Sequence, residues 1–154
     1  MFLATGNAAE AVMDAVLPAL KADASLVALV TGIYGHVPRA ERANHPYVSI
    51  SDAALFQGDF GAMGRGGGRV VFSLDVWSSN AGSSAHGPHT VHEILARCLV
   101  VLERQDVSLT VGFTLASGSL HCTESRVFDE PDPEIPKESL YHGHQAWEAL
   151  VDET

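Results

Sequence analysis

Histidine is the side chain best suited to chemistry in this chain of 154 residues, because eight are present and each can ligate a metal or carry a proton near neutral pH. His142 and His144 stand two apart in a strand-like run, so their side chains share one face. An ion bound there needs a further ligand from elsewhere in the chain, and His121 is the candidate. The plainer reading makes the pair surface or interface residues. His86, His89 and His92 recur at intervals of three. On a helix each such step turns ~300°, so the first and third point apart, and Pro88 disturbs the turn that would hold them. That cluster reads as a solvated helix start.

Other chemistries find less support. The chain holds no Gly-x-Ser-x-Gly elbow, and neither Cys98 nor Cys122 has neighbours that would lower its pKa. Both cysteines fall on apolar faces and read as buried reduced thiols. The glycine-dense stretch Gly64-Arg65-Gly66-Gly67-Gly68 lacks the Lys-Ser or Lys-Thr of a phosphate loop, and it joins two strands where a phosphate cradle opens a helix. Asp129, Glu130, Asp132 and Glu134 lie in a proline-broken connector and read as a solvated loop ahead of a weak calcium site. The expectation is a protein without catalytic residues, cofactor or resident metal.

The elements that position these residues follow from periodicity. Asn7 and Glu10 have capping-box spacing, and Ala9, Val12, Met13, Val16, Leu17 and Leu20 form one helical stripe, with a kink predicted at Pro18. Asp23 is the predicted cap of a short second helix carrying Leu26, Val27 and Val30 and stopping at Gly32. Strands are predicted over Ile33–Val37, Tyr47–Ala53 and from Arg69 to Trp77. In the last, Val70, Phe72, Leu74 and Val76 face one way, and Val71, Ser73, Asp75 and Trp77 the other. A helix opening between Ser84 and Pro88 carries Val91, Ile94, Leu95, Cys98, Leu99 and Leu102 and ends at Arg104. Strands at Thr110–Leu115, Leu120–Phe128 and Leu140–Val151 complete an α+β domain spanning 1–154, an antiparallel sheet with its helices packed on one face. A flexible arm over 57–69 and an acidic, proline-rich connector over 129–138 interrupt it.

Composition narrows the class further. A hydrophobic fraction of 46% suits a folded core, yet no run approaches the ~20 apolar residues of a membrane span. Met1 to Thr5 opens without the charged flank of a signal peptide, and the reading of Cys98 and Cys122 as reduced thiols makes the cytoplasm the expected site of folding. A net charge of −10 disfavours an extended nucleic-acid surface. Interface candidates are Phe60, Met63, Arg65 and Arg69 in the arm, Arg39 and Arg42 in the preceding loop near the same edge, and Trp77, which is either core or an anchor between subunits.

Four short segments carry a resemblance. Lys21-Ala22-Asp23-Ala24-Ser25-Leu26, His36-Val37-Pro38, His45-Pro46-Tyr47-Val48 and Leu74-Asp75-Val76-Trp77-Ser78, in this order and spacing, resemble the tail-completion (tail-terminator) proteins of long-tailed bacteriophages and gene transfer agents. Asp23, Leu26, Pro38, Pro46, Tyr47, Asp75 and Trp77 are the positions that match. The resemblance implies a structural virion protein, assembled in a bacterial host, that forms a homo-hexameric ring at the head-proximal end of the tail. Its implied partners are the tail tube protein and a head-tail connector or stopper, with DNA met only in passage and no membrane contact. The rival readings are a neck or connector subunit and, further off, a small histidine-dependent metal enzyme.

Overall fold

The computed structural model describes residues 8–41, 44–56, 68–79, 88–110, 112–131 and 139–154. Its elements run α1 (Ala8–Lys21), α2 (Ala24–Val27), β1 (Gly32–Tyr34), a 3-10 turn (Arg39–Glu41), β2 (Tyr47–Phe56), β3 (Gly68–Ser79), α3 (Pro88–Leu102), β4 (Phe113–Leu115), β5 (His121–Pro131) and β6 (Ser139–Glu153). The sheet follows the order β1-β2-β3-β6-β4, with β5 also on β6. All strand pairs are antiparallel except β1 with β2. The α+β expectation therefore holds, with one parallel pair at an edge.

Two long strands organise the sheet. β3 and β6 pair over twelve positions, from Gly68 opposite Val151 to Ser79 opposite Leu140. Strand side chains alternate, so this register gives the sheet two unlike faces. Val70, Phe72, Leu74 and Val76 of β3 and Gln145, Trp147, Ala149 and Val151 of β6 are buried. They meet the stripes Val12, Val16 and Leu20 of α1 and Val91, Ile94, Leu95, Cys98 and Leu102 of α3 in one core. The opposite face, here the open face, carries Val71, Ser73, Asp75 and Trp77 beside His142, His144, Ala146 and Glu148.

α3 sits close to the sheet because β6 has no side chain beneath it at Gly143. A Cβ there would lie 2.5 Å from Val91 Cγ1 and 3.0 Å from Leu95 Cδ1. Next to this contact the fully buried Gln145 donates from Nε2 to the Leu95 carbonyl at 3.0 Å and accepts from the Trp147 indole at 3.2 Å. A buried amide so satisfied ties helix to sheet at little cost, whereas removing one partner strands the others in a dry environment. At the outer end of the helix pair, Asp23 accepts from the Leu26 amide as N-cap and holds Arg97 of α3 through two bonds of 2.7 and 2.8 Å. The Arg97 guanidinium holds the Asp23 carboxyl down at about 2.

Several boundaries differ from the sequence reading for local reasons. Pro18 lies inside α1 as expected, where Asp14, whose carbonyl loses a partner, and Pro18 itself both face solvent. α2 stops at Val27, which is exposed, and Gly32 starts β1 instead of closing the helix. The Tyr34 ring and its hydroxyl cross the space a Cβ at Gly32 would occupy, and β1 ends at Tyr34, short of Val37. β2 runs on to Phe56 through a bulge between Ser51 and Ala54 that turns Leu55 to the core and Phe56 to the open face. α3 ends at Leu102, and Arg104 takes the left-handed position (φ 58°), its amide bonded to the Leu120 carbonyl. β4 is three residues long because β5 occupies β6 from Ser139 to Glu148, leaving only 151–153. β5 also extends through Asp129 to Pro131, so the connector is shorter than expected. Gly68 and Arg69 belong to β3 and not to the arm. The rest of the arm at 57–67, the remaining connector at 132–138 and the cap at Asn7 lie outside the described residues.

Gln145→Ala should lower unfolding free energy by about 2–3 kcal/mol in urea titrations, since it leaves the Trp147 indole and a core void unpartnered. Gly143→Ala should cost about 1–3 kcal/mol by lifting α3 from the sheet.

Candidate functional site

The open face gathers its polar groups around Asp75. The β3–β6 register sets Asp75 directly opposite His144 and Trp77 opposite His142, while β2 brings Ser49 opposite Asp75 and Ser51 opposite Ser73. Asp75 Oδ1 lies 2.6 Å from His142 Nε2 and 2.9 Å from His144 Nδ1. The other oxygen, Oδ2, accepts from the Ser51 hydroxyl at 3.1 Å and the Ser73 hydroxyl at 3.3 Å. Burial by itself would push the Asp75 carboxyl up, but the hydrogen bonds from His142 and His144 and their charge outweigh it, and the group is held below its ordinary value. The imidazole of His142 is fixed in turn by Trp77, stacked on it at 4.1 Å between ring centroids and 6° between planes, with Phe128 of β5 at 5.7 Å.

A second polar cluster occupies the far end of the same face. Arg69 bonds Glu148 at 2.8 Å and lies over the Phe56 ring at 4.8 Å. His121 reaches the other carboxylate oxygen of Glu148 at 3.3 Å and bonds the Ser119 carbonyl through Nδ1 at 2.8 Å. Between the clusters lies a shallow groove of about 400 Å3, floored by Ala146 and walled by Arg69, Val71, Ser73, Thr123 and His144.

The histidine trio named from sequence is therefore divided. His142 and His144 share a face as strand alternation requires, but His121 belongs to Glu148, and Asp75 takes the third place. His89 pairs with Glu93 on the exposed side of α3, and His86 lies outside the described residues. Trp77 is not a core residue; it is half-buried on the open face. Arg39 is exposed in its turn, whereas Arg42, Phe60, Met63 and Arg65 lie outside the described residues. Arg39 and Arg69 do not share an edge as drawn from sequence. The loop of Arg39 returns to the start of β2 through the Glu41–Asn44 bond, while Arg69 stands opposite Phe56 at the other end of that strand. Of the motif residues, Asp23 caps and cross-links helices, Leu26 is fully buried, and the Pro38 carbonyl accepts from Glu41. Pro46 follows a cis peptide bond and its carbonyl accepts from Thr31, and Tyr47 packs between Tyr34 and His45. These are structural duties, apart from Asp75 and Trp77. Neither cysteine offers a thiolate: burial pushes Cys98 up to about 12 and also raises Cys122.

The geometry is that of a framework with an accessible patterned face, and the motif positions hold it in place. A family model described as "Tail completion protein gp17" matches residues 14–152. The chain belongs to the tail completion protein gp17 family. It is thus a tail structural protein. A chain in a solved structure titled "Virion of native gene transfer agent (GTA) particle" has the same fold, with a TM-score of 0.73 and 24% identity, covering 96% of this chain and 98% of that one. No curated protein matches the chain. No helix among the described residues is long and apolar enough to cross a membrane.

Both depressed carboxyls give acid-sensitive stability. Their contribution is complete above the ordinary carboxylate range and is lost as pH falls through the lowered folded values. Urea midpoints should therefore fall steadily from pH 4 toward pH 2, and Asp23→Asn should flatten that fall.

Proposed function

We propose that this protein acts as the tail terminator of its particle. It forms a homo-hexameric ring at the head-proximal end of the tail tube, stops tube polymerisation and joins the tail to the head connector. The observation that carries this reading is the family match across residues 14–152. The role is architectural and includes no reaction of its own.

The fold is compatible with a ring. Subunits in a cyclic hexamer meet head to tail, so each needs two different patches, and a contact of on the order of 1,000 Å2 or more is needed for specificity. The sheet supplies unlike edges, the short parallel β1 on one side and the long β5 on the other. Among the described residues β5 pairs only with β6, which leaves its outer edge as a row of backbone donors and acceptors. The turn of Arg39 precedes the Tyr47 end of β2 and the Arg69–Phe56 pair stands at the other, so these two groups can address different neighbours, the tube and the connector. A net charge of −10 makes an acidic channel wall that repels the DNA backbone and lets it slide past.

Particles made without this protein should show overlong or unattached tails beside filled heads in negative-stain electron microscopy, and the purified tail end should average to a sixfold ring. Heads that leak while tails keep normal length would instead indicate a neck or connector subunit. Deleting residues 60–67 should preserve thermal stability within about 2 °C while yielding tails of uncontrolled length or unjoined heads. Normal particles from that deletion would remove the loop from the mechanism.

A further inference from the structure

We infer that Asp75, His142 and His144 form a binding site for one borderline divalent transition-metal ion of the Zn2+ class. The site needs no contribution from the ring and does not depend on the tail-terminator reading. Three donor atoms converge on the open face, His142 Nε2, His144 Nδ1 and an Asp75 carboxylate oxygen, all within 4.8 Å of one another. Two imidazole nitrogens and one carboxylate oxygen are the donor set such ions take, with water completing a tetrahedron. The side chains are accessible enough for entry, at 17% for His142, 27% for His144 and 14% for Asp75.

The surroundings hold the donors in this arrangement before any ion arrives. The Ser51 and Ser73 hydroxyls occupy Oδ2 and leave Oδ1 turned toward the histidines. Trp77 fixes the plane of His142 by stacking. Outer partners of this kind orient ligands, and their loss commonly costs 10- to 100-fold in metal affinity. Asp75 and His144 face each other across β3 and β6, and His142 joins them from two residues along. The ion therefore cross-links the two central strands. Binding replaces the two imidazole–carboxylate hydrogen bonds, so the coordinating nitrogens give up their protons and the carboxylate swings outward to about 3.3 Å from each, the edge of a zinc tetrahedron.

The test uses the full chain, stripped with chelator and titrated with Zn2+ by calorimetry and with Co2+ by visible absorption. One ion should bind per chain, Co2+ should give the intense d–d bands of a tetrahedral site, and Zn2+ should raise the thermal midpoint. His144→Ala and Asp75→Asn should each weaken binding at least about tenfold, and His121→Ala, altered at the Glu148 cluster, should bind as the unaltered chain does. The unaltered chain decides the matter even if a variant fails to fold. No saturable binding, Co2+ spectra of a purely hydrated ion, or affinity unchanged in His144→Ala would each overturn the site.

Discussion

The register between β3 and β6 is the constraint on which everything else depends. Twelve consecutive pairs fix which residues of each strand lie under the helices and which look outward. A slip by one position would send Trp147 and Val151 to the open face and bring His142 and His144 beneath α3. Gly143 and Gln145 make that slip expensive, because the helix rests on the first and is bonded by the second. Core and candidate site are thus two readings of one ladder.

Much of the framework was legible in sequence because it rests on simple periods. The stripe of Val12, Val16 and Leu20 and the alternation Val70, Phe72, Leu74, Val76 each bury the side predicted. Boundaries escaped where long-range geometry outweighs local preference. β4 is short because β5 already occupies its partner, and Gly32 is a strand residue because Tyr34 needs its space. The histidine pair was visible from its spacing of two. Its carboxylate was not, since Asp75 meets His144 only through a pairing of strands 69 residues apart in sequence. The available signal was a lone acidic residue on the polar side of an otherwise apolar strand, next to Trp77. His121 was not separable from the pair in sequence because the Glu148 that claims it is brought opposite only by the pairing of β5 with β6.

Family and fold agree on a protein whose sequence motifs serve shape. Asp23 with Arg97, Pro46 with Thr31 and Tyr47 with Tyr34 all fasten one element to another. Such fastening suits a structural part of a tail, where fixed surface geometry matters more than motion. It also explains why the open face can carry a patterned array of charge and aromatic rings: the opposite face alone supplies the core.

The bulge in β2 has a consequence for how the hairpin tolerates change in length. It absorbs one surplus residue between Ser51 and Ala54, so the two halves of the strand keep opposite parity. Removing that surplus residue would restore plain alternation without turning the tip of the hairpin, because Ala54 would still lie opposite Val71, Leu55 opposite Val70 and Phe56 opposite Arg69, beneath its guanidinium. Loss of a residue between Ala54 and Phe56 is different: it would set Phe56 opposite Val70 and drive its ring under the helical layer. The bulge is thus the place where this strand can shorten by one residue and keep both faces.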